Sequence, residues 1–472
     1  MWLPTDPRLS AFVQEYTGFC ESFYARDLTE EDWRAWRQTR LSEVLARVME
    51  GSKFYQRHLD GHPVAGCTLE DLPTLPFTTK QDLREQMFDI LAGNIREATF
   101  FYETTGTTGR ATPCPRDAKE VIASNYHVTK SWESIFRHHF GARAPAIGLM
   151  GPTEVHSFGD TLGDIARNVG VCNAKIWPYS PVMGFKKALE LMRDLELEII
   201  CCTPGVCLNL AKAAQHYGHD LHTDFSVELF FLTGEMCTPE LARTIDELWN
   251  VRTYNILYGS QEAFVIGVAC EHRNMHVADP NYIVEILDPE TGESMGSTGA
   301  GELCVTTLIP GVKPLIRYRT GDLVHVGPND CGCDLPGARI DVVGRVLDRL
   351  LLNGRRYRPS EIETAVLTGL TGCAGYQVVL ESDAQDVDRA TVRLEFLRDA
   401  VPPAGAAAAI EARFDRAFDL ATSVEIAEEL DPITSTGAFV SWKAARIIDK
   451  RGDDGVEERA AQRLAANRGY RT

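Results

Sequence analysis

Long apolar runs are missing from this chain. No stretch approaches the roughly 20 residues that span a bilayer, so no transmembrane helix is expected. The opening MWLPTDPRLSAF has neither the basic nor the apolar region of a secretory signal, and a cytoplasmic protein is expected. Positive charge is in deficit. Lys and Arg number 48 against 67 Asp and Glu, for a net charge of −19. That balance argues against general nucleic-acid or anionic-membrane binding, while leaving room for a local basic site. The Walker pattern of Gly, four residues, Gly, Lys and Ser or Thr does not occur, so a P-loop NTPase is not indicated. No internal repeat is visible, and AGAAAA is the nearest approach to low complexity. In a reducing compartment the 13 cysteines read as thiols, core residues or metal ligands, not as disulfides.

What is there is an ordinary globular composition, 44% hydrophobic and 24% charged, in a chain of 472 residues. That length exceeds one compact core and predicts two or more domains. Residues 1–100 read as mostly helical, with apolar residues at helical spacing in RAWRQTRLSEVLARVMEGSKFY. From 100 to 340 short apolar runs alternate with helical stretches. PAIGLM, EIICCTP, VELFFLTGE and TYNILYG read as buried strands. TLGDIARNVG, GFKKALELMRDLE, VCLNLAKAAQHYG and TPELARTIDELWN read as the helices between them. This alternation predicts an α/β layered fold with a mostly parallel sheet. YIVEILDPETGE, GELCVTTLI and DLVHVG then read as antiparallel strands. A second unit is expected from Gly344 onward. There RVLDRLLLNGRRYRPSEIETAVL reads as strand, turn and helix, followed by strands at QVVLES and TVRLEFL and a helix in AGAAAAIEARFDRAFDL.

Four segments carry chemistry. In YETTGTTGRATP, residues Thr104, Thr105, Gly106, Thr107, Thr108 and Gly109 form a Thr/Gly loop whose backbone N–H groups and hydroxyls suit a phosphate. LTGEMCTPE and NILYGSQEA each place Gly and Glu after an apolar strand, where open parallel sheets bind ligands. Glu262 in the second offers an oxygen ligand to magnesium. In LIRYRTGDLVHV, Asp322 follows a strand and a Gly, and its carboxylate could accept both hydroxyls of a ribose. Singly, the first reads equally well as a polar loop, and the other three read better as ordinary strand-to-loop or Asp-capped turns.

Taken in order, these segments resemble the adenylate-forming acyl-CoA synthetase superfamily, and within it phenylacetate–CoA ligase and its relatives. TTGTTG is similar to that family's phosphate loop, YGSQE to its aromatic–Gly–x–x–Glu motif and YRTGD to its ribose motif. VVGRVLDRLLLNGRRYRPSEIE resembles its hinge segment. DLPTLPFTTKQDLRE resembles a segment typical of the phenylacetate branch, and WKAARIIDKR its C-terminal lysine segment. The resemblance covers nearly the whole chain. It implies an α/β fold with a large N-terminal adenylation domain of layered sheets and helices, residues 1–343, and a smaller mobile α+β lid domain, residues 344–472.

It also implies roles. Thr104 to Gly109 would cradle ATP phosphates. Gly234 and Glu235 would line the adenine and acyl pocket, and Tyr258 and Gly259 would border adenine and the acyl carboxylate. Glu262 would ligate Mg2+. Asp322 would bind the ribose, with Arg345 close by. Asp348 would be the hinge, and Lys443 would reach the substrate carboxylate and α-phosphate. Two positions depart from the family pattern: Arg110 stands where relatives usually have Lys, and Trp442 where they usually have Gly.

The implied enzyme is an AMP-forming acid–thiol ligase. It uses ATP, magnesium and coenzyme A to activate a small carboxylic acid, expected to be aromatic. Phe136, His156, Phe158, Asp160 and Tyr179 lie in the stretch expected to form the acyl pocket. Relatives are often dimers, so a homodimer is an open expectation. Two other readings stay open: an adenylating enzyme that loads a separate carrier protein or an amine, and a non-catalytic nucleotide-binding homologue.

The cysteines add one constellation. ACEHRNMH holds Cys270 and His276, and DCGCD holds Cys331 and Cys333. Two soft pairs from separate loops suit a structural, tetrahedral zinc site. His272 competes for the fourth place, and four reduced residues on neighbouring turns is the alternative.

Overall fold

The computed structural model describes residues 7–104, 111–382, 387–398, 400–428, 430 and 446–451. Its chain divides into two compact units. One contains residues 1–144, 152–172 and 256–346, and the other contains 145–151, 173–255 and 347–472.

In the first unit the helical opening folds as Pro7–Ala25, Glu30–Gly51 and Lys53–His58. Thr29 starts the second of these through a capping box with Asp32, which satisfies donors the first turn leaves free. These helices bury Tyr16, Leu41, Val44 and Val48 in one apolar core with Ile286, Leu303, Val305 and Ile340 of the sheet. That sheet has seven antiparallel strands. Their order is Tyr282–Leu287, Gly299–Thr307, Tyr318–Gly327, Arg339–Arg345, Met275–Val277, Phe264–Ala269 and Leu257–Ser260. The turn after the first is the expected one: Asp288 Oδ1 accepts from the N–H groups of Glu290 and Thr291. The 23-residue helix Ala118–Phe140, capped by Asp117, the helices Lys80–Gln86 and Ser157–Asn168, and the strand pair Phe100–Glu103 with Pro113–Arg116 also belong to this unit.

In the second unit five parallel strands lie in the order Asn173–Lys175, Ile147–Leu149, Ile199–Cys202, Leu229–Leu232 and Arg252–Asn255. The central runs IICC and LFFL are buried at every position. That is why they read as unbroken apolar segments and not as alternating ones. Helices Gly184–Asp194, Pro204–His216 and Pro239–Trp249 follow strands of this sheet. A second sheet has the order Ala421–Ile426, Asp388–Phe396, Cys373–Ser382 and Ile447–Asp449, with helices Pro359–Leu367 and Ala406–Phe418. Asn353 and Gly354, both at positive φ, turn the hairpin between Leu350–Leu352 and Arg355–Tyr357, as an Asn-Gly pair is suited to do.

One expected strand is divided. TYNILYG is shared between the strand Arg252–Asn255 of the parallel sheet and the strand Leu257–Ser260 of the antiparallel one. The break has a local cause, since the parallel partner Leu229–Leu232 is itself only four residues long. Among the described residues, no helix is long and apolar enough to cross a membrane.

Candidate active site

The site in the first unit is built on the antiparallel sheet. Asp322 and Arg345 are directly opposed on paired antiparallel strands. Arg345 Nε donates to Asp322 Oδ1 at 2.9 Å, and Tyr258 Oη donates to Asp322 Oδ2 at 2.7 Å. Both carboxylate oxygens are thereby held. Burial pushes the Asp322 carboxyl above its usual value, while Arg345 and the Tyr258 hydroxyl oppose that rise. Gly259 follows Tyr258 because its backbone lies against the opposite strand. A Cβ there would meet the Phe264 carbonyl oxygen at 2.0 Å.

Glu262 is buried. Burial alone would raise its carboxyl, but Lys80 and then Lys313 outweigh it, so the group is held below its ordinary value. Lys80 Nζ lies 3.0 Å from Glu262 Oε1. Lys80 is placed by a second capping box, in which Thr79 caps Lys80–Gln86 with Asp82. Thr78 anchors the same segment by donating its N–H to the Arg317 carbonyl and its hydroxyl to the Ile316 carbonyl. Arg116, itself buried and paired with Glu120, donates to the carbonyls of Gln261 at 2.7 Å and Glu262 at 2.6 Å. Gly311 is required beside this pair, since a Cβ would meet the Glu120 carboxyl at 2.3 Å. Lys313 is fully buried, with Nζ 3.5 Å from Cys114 Sγ. Lys80, Arg116 and Lys313 are thus part of the charge framework around Glu262, and no motif reading singled them out. The signal for Lys80 in the sequence is the FTTKQDLRE segment, which resembles one typical of the phenylacetate branch.

The other expected residues distribute as follows. Thr104 closes the base of the Thr/Gly loop. Its N–H donates to the Thr112 carbonyl and its hydroxyl accepts from the Thr112 N–H, both at 3.0 Å. Thr105, Gly106, Thr107, Thr108, Gly109 and Arg110 lie outside the described residues, as do Trp442 and Lys443. Gly234 and Glu235 belong to the second unit, in the loop after Leu229–Leu232, with Gly234 at φ +86°. Glu235 Oε2 accepts from Arg446 Nη2 at 2.9 Å. Asp348 sits in an exposed turn just past Val346, where the chain passes from the first unit to the second. Of the acyl-pocket candidates, His156 caps the helix Ser157–Asn168 and Phe136 and Phe158 are buried. Asp160 accepts from the Tyr102 hydroxyl at 3.3 Å. In the second unit, Tyr179 accepts from Asn209 at 2.7 Å.

The four candidate metal ligands converge. One ligand atom from each of Cys270, His276, Cys331 and Cys333 lies within 4.8 Å of all the others. His276 Nε2 is 3.4 Å from Cys331 Sγ and 3.2 Å from Cys333 Sγ, and the Cys270 and Cys331 sulfurs are 4.0 Å apart. Zinc bonds of about 2.3 Å to sulfur and about 2.0 Å to nitrogen put tetrahedral S···S near 3.8 Å and S···N near 3.5 Å, so the set fits that ion. His276 Nδ1 faces the Gly337 carbonyl at 3.3 Å, the kind of outer contact that orients a ligating imidazole. His272 instead sits exposed, against the Cys331 carbonyl.

Comparison with known proteins supplies the family. The model described as AMP-binding enzyme matches residues 97–308. A phenylacetate–coenzyme A ligase of Thermus thermophilus is 29% identical over 379 residues, covering 78% of this chain and 82% of its own. One from Pseudomonas putida is 31% identical over 316 residues, covering 65% and 68%. Among solved structures, a 2-hydroxyisobutyryl-CoA ligase in the postadenylation state, in complex with its acyl-AMP, superposes with a TM-score of 0.74. It does so at 19% identity over 93% of this chain and 92% of its own, and it shares the fold. With the motifs in one order over the chain and a relative this similar over this length, the chain belongs to the phenylacetate–coenzyme A ligase family.

Proposed function

We propose that this protein is an ATP-dependent, AMP-forming acid–thiol ligase. It activates a small carboxylic acid as an acyl-adenylate and passes the acyl group to coenzyme A. The observation that carries the reading is Asp322, gripped by Tyr258 and Arg345 in a chain whose relatives are named phenylacetate–coenzyme A ligases. Those relatives support an aryl acid as the substrate.

A carboxylate is a poor electrophile. Its oxygen attacks the α-phosphorus of ATP, pyrophosphate departs, and the mixed anhydride carries AMP as leaving group. The coenzyme A thiolate then attacks the acyl carbon and AMP departs. In the first step two anions must meet, so positive charge and aimed dipoles are needed where charge builds up. We assign the Thr104–Gly109 loop to the phosphates, Asp322 to the ribose hydroxyls, and Gly234, Glu235, Tyr258 and Gly259 to the adenine and acyl face. Glu262 is the residue we assign to magnesium. Its carboxylate is held in the ionised form, and hard oxygen is what the ion takes. When bound, the ion would offset phosphate charge. Lys443 is assigned to the reacting oxygens. We read residues 344–472 as the lid, turning about Asp348 between the half-reactions. Cys270, His276, Cys331 and Cys333 are assigned to structural zinc, since four protein ligands leave no position for substrate.

The test is acid-dependent pyrophosphate release across aryl and alkyl acids, with coenzyme A varied. Release with an aryl acid, and acyl-CoA formed when coenzyme A is present, is the expected result. Release without acyl-CoA would move the acceptor to a carrier protein or an amine. No release with any acid would leave a non-catalytic nucleotide-binding homologue.

A further inference from the structure

Arg446 is the last residue of WKAAR, three positions after Lys443. Its guanidinium is mostly buried between two buried carboxylates of the second unit. Nη2 donates to Glu235 Oε2 at 2.9 Å, and Nη1 donates to Glu363 Oε2 at 3.4 Å. Glu363, on the helix Pro359–Leu367, also accepts from the Tyr376 hydroxyl and, at 2.6 Å, from Thr238 Oγ1. Thr238 is in turn the cap of the helix Pro239–Trp249. The Arg446 main chain is fixed as well, for its carbonyl accepts from Val378 N at 2.8 Å. From there the chain runs into the strand Ile447–Asp449 beside Cys373–Ser382.

Two buried carboxylates on one guanidinium is more than a surface ion pair. The planar fork of arginine donates in two directions at once from a fixed position, whereas the three donors of a lysine share one nitrogen on a flexible stem and span less space. The same fork joins the loop that carries Gly234 and Glu235 to the strand that opens directly after the lysine segment. None of the roles implied by the resemblance uses Arg446.

We propose that Arg446 is a positioning residue for adenylation: by bridging Glu235 and Glu363 it fixes the point from which the Lys443 segment departs. This rests on the ligase reading above. Thiolysis, which does not use Lys443, does not need the bridge.

The experiment uses the full chain with Arg446→Ala, Arg446→Lys and Glu363→Gln. Pyrophosphate release with ATP and acid is measured separately from thiolysis of a synthetic acyl-adenylate by coenzyme A. A misplaced catalytic group costs about 100-fold. Arg446→Ala should therefore lose adenylation kcat on that order, while KM for ATP and thiolysis stay within about threefold. Arg446→Lys should recover part of the loss. Glu363→Gln, which keeps shape and half the pairing, should show a smaller loss confined to the same half-reaction, and it serves if Arg446→Ala does not fold. Equal loss in both half-reactions, loss in KM for ATP alone, or no loss would overturn the proposal. Should the unmodified protein release no pyrophosphate with any acid, the ligase reading fails on its own. Hydrogen exchange at residues 447–449 then decides the bridge: faster exchange in Arg446→Ala keeps it, and unchanged exchange overturns it.

Discussion

Arg317, the first arginine of LIRYRTGD, should prove to be a structural residue of the first unit, and its removal should be costly. Its side chain is buried. Nε and Nη2 donate to the two oxygens of buried Glu285 at 3.0 and 2.8 Å. Nη1 donates to the carbonyls of Pro73 and Leu75 at 2.6 Å each, and the guanidinium lies 4.0 Å from the centre of the Phe77 ring. One side chain thus pins the segment that leads to Lys80 onto the strand pair behind Asp322. Arg317→Met would leave a buried carboxylate without its cation and two carbonyls without a donor. Breaking a buried pair costs about 3–5 kcal/mol. Since Met restores part of the packing, about 4 kcal/mol of unfolding free energy is expected to be lost. Urea unfolding followed by tryptophan fluorescence measures it. Arg317→Met combined with Glu285→Leu removes the orphaned charge, and it should recover at least half of the loss, because apolar replacement of a whole buried pair is often neutral. A single-variant loss below about 1 kcal/mol, the range of an exposed pair, would refute the argument. So would a double variant no better than the single one.

Two shorter expectations follow. Purified protein never exposed to chelator should carry about one zinc per chain, and Cys333→Ser should bind less and unfold more easily, since metal affinity is folding free energy in such sites; metal-free protein of unchanged stability would remove the zinc assignment. Asp322→Asn should raise KM for ATP about tenfold to a hundredfold, the range for losing a charged hydrogen bond worth about 1.5–3 kcal/mol, and an unchanged KM would count against ribose binding.

The parallel strands were legible because burial on both faces writes itself as unbroken apolar runs such as IICC and LFFL. YRTGD was legible through its resemblance to a ribose motif, although Asp322 lies within the strand Tyr318–Gly327 and does not follow one. The helix Ala118–Phe140 was not announced by its pattern. Among its buried residues are Glu120, Ser124, Asn125, His127, Ser131 and Ser134, so polar positions interrupt the apolar stripe. Their partners are remote in sequence: Ser131 donates to the Ala269 carbonyl, Ser134 to Glu271, and His127 lies against the hydroxyls of Tyr16 and Tyr24. For the same reason Arg116 and Lys313 escaped notice, because a buried cation is explained only by carboxylates that the fold delivers. The metal ligands were named from two short pairs, but the choice of His276 over His272 needed the hairpin register that sets Met275–Val277 against Gly267–Ala269.

The two carboxylates of the site are shifted in opposite directions, and the consequence for acid is testable. Burial raises the Asp322 carboxyl and the opposing Arg345 does not cancel it. Its ionised form is therefore a cost to the folded state above the ordinary aspartate value of about 3.9, relieved as pH falls through its folded value. Burial acts on Glu262 too, but Lys80 and Lys313 win and leave it lowered. Glu262 therefore contributes stability above the ordinary glutamate value of about 4.3, lost only as pH falls through its lower folded value. On acidification Asp322 takes its proton at a higher pH than an ordinary aspartate, and Glu262 keeps its charge to a lower pH than an ordinary glutamate. KM for ATP should rise as Asp322 is protonated, and the acid limb of that profile should begin above the ordinary aspartate range. In Asp322→Asn the limb should vanish into a uniformly high KM. The same limb in Asp322→Asn would show that another group sets the acid limit.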